Sequence, residues 1–277
     1  MTTNANTTTG VNSSIFTPTL REPRAAIARE SHFSIDAEPR HISILAYAIP
    51  MERAESVAPP SFRLEEGAIH NRRRAQRAAW LSVISFLDRS EDRESFEQTS
   101  YALHGTRNGE PGHWVLGISL GSLGAVATRN LWPLPWRLSA MEIDASYSPM
   151  KGRYAQYGLR TQSEWANAGW RIEDTGAPVR LEDMTALPMS LRLPSINRYF
   201  TRRDGRMGGQ RLRMSEHDFT RGRLRSAECD LLERLGLLTR EELQRPFLTA
   251  LCPSMKLQYG APSALGAHSA PAARRAA

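Results

Sequence analysis

The segment from Gly112 to Met141 is the most informative stretch of this chain. Within it, the run Arg-Asn-Leu-Trp-Pro-Leu-Pro-Trp-Arg begins at Arg129, contains Trp132 and Trp136, and ends at Arg137. If Arg129 is buried it needs a negatively charged partner, which is either the carboxylate of a ligand or Glu97, and a purely structural pair of Arg129 with Glu97 is an equal alternative. The two tryptophans bring a large aromatic area that either lines an apolar pocket or fills it.

A second group of polar side chains lies on residues 153–160, Arg-Tyr-Ala-Gln-Tyr-Gly-Leu-Arg. This stretch alternates in character, which predicts a strand with one face towards a cavity. On a regular strand Tyr154, Gln156, Gly158 and Arg160 share that face. Tyr154 and Arg160 are therefore candidate ligand contacts, and the alternative is a strand end in water.

The elements that must position these residues are mostly strands. Residues 80–87 and 114–120 are β-rich runs with apolar residues on both faces, as in a sheet covered on two sides. Residues 197–202 and 207–214 flank Arg203-Asp204-Gly205-Arg206, and Asp-Gly at this position predicts a hairpin.

Helices are fewer. Ser122 can cap a short helix that stops at Pro133. Residues 226–238 place apolar residues on one stripe and predict an amphipathic helix. Thr239 with Glu242 predicts a capping box for a last short helix. Many strands with few helices indicate an α+β, mainly β domain built around a large antiparallel sheet or barrel.

One domain is expected between two unstructured ends. Residues 1–30 read as a flexible arm and residues 261–277 as a disordered Ala/Pro tail, which leaves 31–260 for the domain.

Several segments line up in order with one family, among them Ile49-Pro50, Trp80 to Phe86, Phe96-Glu97, Gly109-Glu110-Pro111-Gly112, Gly112 to Met141, Arg198-Tyr199 and His217. In this series the chain resembles the uncharacterised YqjF-like branch of the acetoacetate decarboxylase-like superfamily. The resemblance covers roughly residues 33–260 and implies a closed, cone-like antiparallel β-barrel with an interior ligand pocket. It also allows a homo-oligomer.

The same resemblance assigns roles to particular residues. The lysine enzymes of the superfamily carry two lysines where this chain has Trp136 and Arg137, while Arg129 and Pro135 match. Glu97 falls at the position of the pocket carboxylate and His217 at that of a family histidine, which makes both candidate catalytic acid–base groups. The alternatives are a solvated glutamate and a histidine with a structural hydrogen bond.

Imine formation requires a neutral amine, and arginine cannot supply one because its guanidinium stays protonated. The chain contains only two lysines, Lys151 in a turn and Lys256 on the last strand. Both are expected to be solvated, so Schiff-base chemistry is not expected here.

The sequence therefore predicts a pocket for a small organic acid or carbonyl compound, formed by Glu97, Arg129, Trp132 and Trp136. Three hypotheses remain open: a lyase-type enzyme without a Schiff-base lysine, a non-catalytic binding module, and a structural or interaction protein with a filled barrel.

Composition argues against several other classes of protein: nucleic-acid-binding, membrane-spanning, secreted and metal-binding proteins. The net charge is +7, but nearly all of the basic residues are arginine and no arginine-rich helix with aromatic residues is present, so nucleic acid is not an expected partner. No apolar run reaches the length of a membrane span, and the N-terminus lacks a secretory pattern. Two cysteines without metal-ligand spacing favour a reducing cytoplasm, and no metal or cofactor is expected.

Overall fold

The computed structural model describes residues 34–71, 74–88, 95–128, 131–215 and 218–265, and these residues are mainly β. The strands are β1 Ser34–Ala37, β2 Pro39–Pro50, β3 Arg63–Leu64, β4 Glu66–Asn71, β5 Arg74–Asp88, β6 Phe96–Arg107, β7 Glu110–Leu120, β8 Trp136–Leu138, β9 Ala140–Ser148, β10 Arg153–Gln162, β11 Ala168–Pro178, β12 Ser195–Thr201, β13 Met207–Met214, β14 Thr220–Cys229, β15 Leu248–Ser254, β16 Leu257–Gly260 and β17 Ser263–Ala264.

The helices are short. They are α1 Met51–Glu55, α2 Gly124–Thr128, α3 Leu181–Ala186, α4 Asp230–Arg234 and α5 Arg240–Leu243, with single 3₁₀ turns at Pro149–Lys151 and Met189–Leu191. Such helices connect and cover the sheet, and they form no layer of their own.

One continuous hydrogen-bonded ladder contains most of the strands. It runs β9–β10–β11–β14–β15–β2–β5–β6–β7–β12–β13–β16–β1, with β3, β4, β8 and β17 added beside β6, β5, β7 and β13. All pairs are antiparallel except β7 with β12 and β7 with β8. Within the described residues no ladder joins β9 to β1, so hydrogen bonds do not close the sheet into a barrel.

Both faces of the central strands are buried, because alternate residues enter different apolar clusters. The first face carries Tyr47, Tyr101 and Tyr157 in the largest cluster. The second face of the same sheet carries three smaller clusters, with Phe86, Phe200 and Trp80 as their aromatic members. This arrangement confirms the prediction from the runs at 80–87 and 114–120 that the sheet is covered on two sides.

Two local predictions are confirmed as well. β12 and β13 pair through the Asp204-Gly205 hairpin. Thr239 accepts a hydrogen bond from the Glu242 backbone, while the Glu242 side chain accepts one from the Thr239 backbone, which completes the capping box of α5.

The helix expected over 226–238 is wrong in extent. β14 continues to Cys229 because Ala227 and Cys229 pair with Trp170 and Ala168 of β11, and only Asp230–Arg234 is helical. The apolar residues of the stripe are still buried, at Ala227, Leu231, Leu232 and Leu238. Long-range pairing thus overrides a helical pattern in the first turn of the predicted helix.

The last described strand lies beyond residue 260. Ser263–Ala264 forms β17 and pairs with Gly208 and Gly209 of β13. The rest of the predicted tail, like the predicted arm at 1–30, lies outside the described residues, and the domain bounds stay a prediction.

Candidate functional site

Of the eight predicted site residues, Arg129 and His217 lie outside the described residues, and the other six occupy several separate places. Glu97 and Arg137 lie on the first face. Trp136 lies on the other side of the sheet and Trp132 lies exposed in the turn before β8, while Tyr154 and Arg160 lie on β10 with opposite orientations.

Glu97 lies near the start of β6, two residues before Thr99 and four before Tyr101, and shares their face. It is half-buried, and its carboxylate packs so closely over Gly121 that a side chain at residue 121 would clash with it. Thr99 pairs with Ser119 of β7, and Ser119 pairs with Arg137 of β8. The structure thus brings Glu97 and Arg137 to one region of the first face, although the Arg137 side chain is exposed.

Two fully buried hydroxyl groups lie beside this region, those of Tyr101 and Ser119, and they are hydrogen-bonding neighbours of each other, with the Cys229 thiol next to Tyr101. Burial raises the pKa of Tyr101 well above its ordinary value, and the nearby Cys229 acts in the same direction. Burial also raises the pKa of the Cys229 thiol to about 11. All three groups are therefore uncharged near neutral pH, and they offer hydrogen bonds rather than charge.

Trp132 and Trp136 have different surroundings. Trp132 is 62% exposed. Trp136 pairs with Ile118 and therefore points to the second face, where it packs against the cluster of Ile118 and Phe200. The guanidinium carbon of Arg203 lies 5.0 Å from its ring centroid. The neighbours of Trp136 therefore belong to the second face, and its ring does not fill the core of the first face.

Tyr154 and Arg160 do not share a face, which corrects the prediction from alternation. The pairing of β9 with β10 shifts between Tyr154 and Gln156, so a bulge at Ala155 puts Tyr154 on the buried side together with Tyr157. Arg160 stays exposed, opposite Glu142. A single extra residue reverses the face of every side chain beyond it.

Tyr154 is held by specific hydrogen bonds. Its hydroxyl donates to the Cys252 carbonyl at 3.1 Å and lies 3.3 Å from His41 Nδ1. Its backbone N–H donates to Asp174 Oδ2 at 2.8 Å. Its partner Cys252 also lines a surface cleft of about 670 Å³, whose other lining residues are Glu38, Tyr147, Gly152, Ser215, Asp218, Thr220, Pro253, Ser254, Met255 and Lys256.

Both lysines are exposed. Lys151 ends the 3₁₀ turn before Gly152, which has a left-handed φ of 60°, and Lys256 borders the surface cleft. Neither side chain enters the two buried faces of the sheet.

The second face contains a polar row that the sequence did not reveal. His104 of β6 pairs with His113 of β7, His113 pairs with Arg198 of β12, and Arg198 pairs with Gln210 of β13. All four side chains are buried. We refer to these four residues as the Arg198 row.

Two signals in the sequence could have found this row. Asn108-Gly109 predicts a two-residue hairpin, and that register places His104 opposite His113. Ile196, Arg198 and Phe200 alternate on one strand, so the arginine stands between two apolar residues of the same face. An arginine in such a position is expected to be buried with them.

The described residues contain no cluster of His, Cys, Asp and Glu that could hold a metal ion. Within the same residues, no helix has the length and apolar character needed to cross a membrane. Cys229 and Cys252 are both free and buried.

Comparison with solved structures identifies the fold. The chain is similar to acetoacetate decarboxylase from Legionella pneumophila, with a TM-score of 0.53, 12% identity, and coverage of 83% of this chain and 87% of that one. It is also similar to an acetoacetate decarboxylase-like enzyme from Sphingomonas wittichii RW1, with a TM-score of 0.53, 11% identity, and coverage of 83% of this chain and 92% of that one. The enduracididine biosynthesis enzyme MppR, in a structure with bound HEPES buffer, matches with a TM-score of 0.52, 12% identity, and coverage of 83% of this chain and 87% of that one.

No protein-family model matches the sequence, and no curated protein sequence matches it. At 11 to 12% identity the structural likeness defines the fold alone. The chain thus has the acetoacetate decarboxylase-like fold.

Proposed function

We propose that this chain binds a small organic acid or carbonyl compound in the interior of its acetoacetate decarboxylase-like fold, without forming a Schiff base. The observation that carries the proposal is the set of buried polar atoms on the second face of β6 and β7 that have no hydrogen-bond partner among the described residues: Gln98 Oε1, His104 Nε2 and His113 Nε2. Buried polar groups in native proteins are nearly all paired, with protein, ordered water or ligand. Three such atoms on one face of two adjacent strands support a polar ligand-binding region there.

The position of the lysines supports the second half of the proposal. An imine-forming lysine is activated by desolvation or by a neighbouring cation. Lys151 and Lys256 are exposed, and the positions that resemble the family's lysines hold Trp136 and Arg137. The proposal accordingly gives the ligand only non-covalent partners.

The remaining predictions belong to the same proposal. Glu97 and Arg137 are candidate contacts on the first face, and Arg129 and His217 stay predicted contacts. A closed barrel, membership of the YqjF-like branch and a cytoplasmic location also remain predictions. If the protein is an enzyme, Glu97 and His217 are its candidate acid–base groups in a lyase-type reaction.

A filled barrel with a structural or interaction role is the second candidate function, and one observation favours it. Tyr47, Tyr101 and Tyr157 are almost completely buried side by side with Leu45 and Leu81 on the first face. A core packed in this way leaves little room for a ligand on that face.

The test is a thermal-shift and calorimetric screen with sodium pyruvate, sodium acetoacetate and related small acids, run beside borohydride trapping read by intact mass. The expected result is a saturable increase in Tm with at least one acid and no covalent adduct, since a ligand that binds only the native state raises its stability. An adduct mapped to either lysine would contradict the non-covalent mechanism. No stabilisation by any acid would favour the filled barrel.

A further inference from the structure

The Arg198 row contains a buried positive charge that has no negative partner among the described residues. Arg198 is 4% exposed, and no acidic side chain of the described residues pairs with it. Its single hydrogen bond there runs from one terminal nitrogen to Gln210 Oε1 at 3.4 Å. A guanidinium carries five N–H donors, so most of its hydrogen-bonding capacity is unused in the described structure.

Burying a charge in this way is costly. The effective penalty for an ion in a protein interior is several kcal/mol unless a counter-charge and hydrogen bonds offset it. Burial also lowers the pKa of Arg198 from its ordinary value, although the guanidinium stays protonated near neutral pH. An anion bound beside Arg198 would remove this penalty.

The two histidines add polar atoms next to the guanidinium. Their rings meet edge to face with centroids 4.5 Å apart, and the Nε2 atoms of both are buried without a partner among the described residues. His104 Nδ1 lies 2.7 Å from the Ser190 hydroxyl, which fixes that ring. His113 is next to Arg198 across the strand pair, so its free Nε2 and the guanidinium belong to one small region.

The protonation states of His104 and His113 determine the net charge of the Arg198 row, and so the charge of an anion that would neutralise it. Burial lowers the pKa of His113 to about 3, with the Arg198 charge as the next cause, and lowers the pKa of His104 well below its ordinary value. Both imidazoles are therefore neutral near neutral pH. The row then carries a single positive charge, which one negative charge neutralises.

The neighbours of Arg198 are apolar along its own strand. Ile196 and Phe200 lie on the same face two residues before and after it, and both are buried. Solvent reaches this face of the sheet at Ser100, which is partly exposed and lies about 13 Å along β6 from His104. A ligand that fits has one charged end and a small, partly apolar body.

We propose that the Arg198 row binds the carboxylate of a small monoanionic organic acid. The guanidinium donates two parallel hydrogen bonds to the two carboxylate oxygens, and His113 Nε2 lies beside them. Planar carboxylates match the fork of arginine donors, and such charge-assisted pairs are stronger than neutral hydrogen bonds. This assignment rests on the proposed function, because it takes its ligand class from there. It names the second face as the place of binding, instead of the first-face candidates Glu97 and Arg137.

The experiment measures the affinity of sodium pyruvate and sodium acetoacetate by calorimetry for the wild type and for Arg198→Met. Removal of the anchor is expected to weaken binding by at least about tenfold, since losing one partner of a buried charged pair costs 2 kcal/mol or more. The matched control is Arg211→Met, because Arg211 lies on the strand next to β12 but is exposed. This control is expected to keep the wild-type affinity.

Two further measurements keep the proposal testable if Arg198→Met does not fold. Arg198→Lys retains the positive charge but cannot donate two parallel hydrogen bonds to a carboxylate. The affinity of this variant for pyruvate is therefore expected to fall about tenfold, with the fold preserved. In the wild type, the ring resonances of His104 and His113, assigned through His104→Gln and His113→Gln, are expected to shift on addition of pyruvate. Unchanged histidine resonances at saturation would contradict binding at this row.

The outcomes separate the two proposals. If the wild type binds none of the acids, the proposed function itself fails. If it binds them and Arg198→Met binds equally well, the proposed function stands and the Arg198 row is the wrong site. Inorganic phosphate that competes as strongly as pyruvate would overturn the assignment to a monoanionic carboxylate.

Discussion

At the scale of single residues, the buried histidines make the stability of this protein depend on pH. His113 is 6% exposed and His104 is completely buried, so protonation of either ring places a second positive charge beside Arg198. A histidine with a lowered pKa in the native state favours unfolding at low pH, because only the unfolded chain takes up the proton.

The first prediction concerns His113→Gln. For His113 the free energy of unfolding should fall as pH drops below the unfolded pKa of about 6.5, by about 1.4 kcal/mol per pH unit, until the native pKa of about 3. The slope of the unfolding free energy against pH reports how many more protons the unfolded chain binds than the native protein. In this range the substitution should lower that number by about one. Urea unfolding at several pH values between these limits measures it, and identical slopes for the two proteins would contradict the neutral, buried state of His113.

At the scale of elements, two tight features of β6 and β7 fix the register on which both candidate regions depend. The first is the turn at Asn108-Gly109, where both residues have positive φ, 54° and 83°. This is the pattern of a type I′ hairpin turn, whose twist matches that of the flanking strands. It places His104 opposite His113 and Thr106 opposite Pro111.

The second prediction is that Gly109→Ala destabilises the protein by about 1 kcal/mol. No atom lies within 4 Å of a Cβ added at Gly109, so the loss comes from backbone strain at positive φ alone. Asn108→Gly is the matched control and should not lose stability through strain, because glycine accepts positive φ. Denaturant unfolding compares the two, and a Gly109→Ala protein as stable as the wild type would show that the turn has another conformation.

The second tight feature is Gly117, over which the ring of Trp165 packs. A Cβ at Gly117 would lie 2.7 Å from Trp165 Cη2, while Trp165 also makes an edge contact with Tyr101 at 6.1 Å between centroids. The absence of a side chain at Gly117 therefore lets Trp165 cover the buried hydroxyl region of the first face.

The third prediction is that Gly117→Ala costs about 1 to 3 kcal/mol, the usual range for overpacking a tight core. The same change in a Trp165→Leu background should cost much less, because the clashing ring atoms are gone. The double-mutant cycle by denaturant unfolding gives the coupling energy. Additive effects would mean that Trp165 does not contact Gly117 in solution.

At the scale of the whole molecule, one sheet has two buried faces, and the ladder does not close through hydrogen bonds in the described residues. The first face holds the largest apolar core and the second face holds the Arg198 row. Lys151 and Lys256 are exposed and lie outside both faces, as the proposed non-covalent binding requires.

The fourth prediction tests this separation through the double variant Lys151→Arg and Lys256→Arg. Both side chains are exposed and arginine forms no imine, so stability and affinity for small acids should match the wild type. Calorimetry with pyruvate, with any acetoacetate decarboxylation followed in parallel, provides the comparison. A loss of activity in the double variant together with an unchanged fold would restore a lysine mechanism.

The sequence by itself determined the features that depend on neighbouring residues. The hairpin at Asp204-Gly205, the capping box of Thr239 and Glu242 and the turn before Gly152 follow from the backbone preferences of a few adjacent residues. The apolar runs at 80–87 and 114–120 were sufficient to predict a sheet covered on two sides. The ordered motifs predicted the acetoacetate decarboxylase-like fold that the structural comparisons show.

Only the tertiary structure decided which side chains meet. Trp136 takes its face from its pairing with Ile118, Tyr154 takes its face from a bulge, and β14 extends through Cys229 because β11 pairs with it. The Arg198 row joins β7 to β12, strands far apart in the chain. Strand register and long-range pairing are collective properties of the folded sheet, and a shift of one residue exchanges its faces, so local patterns do not fix them.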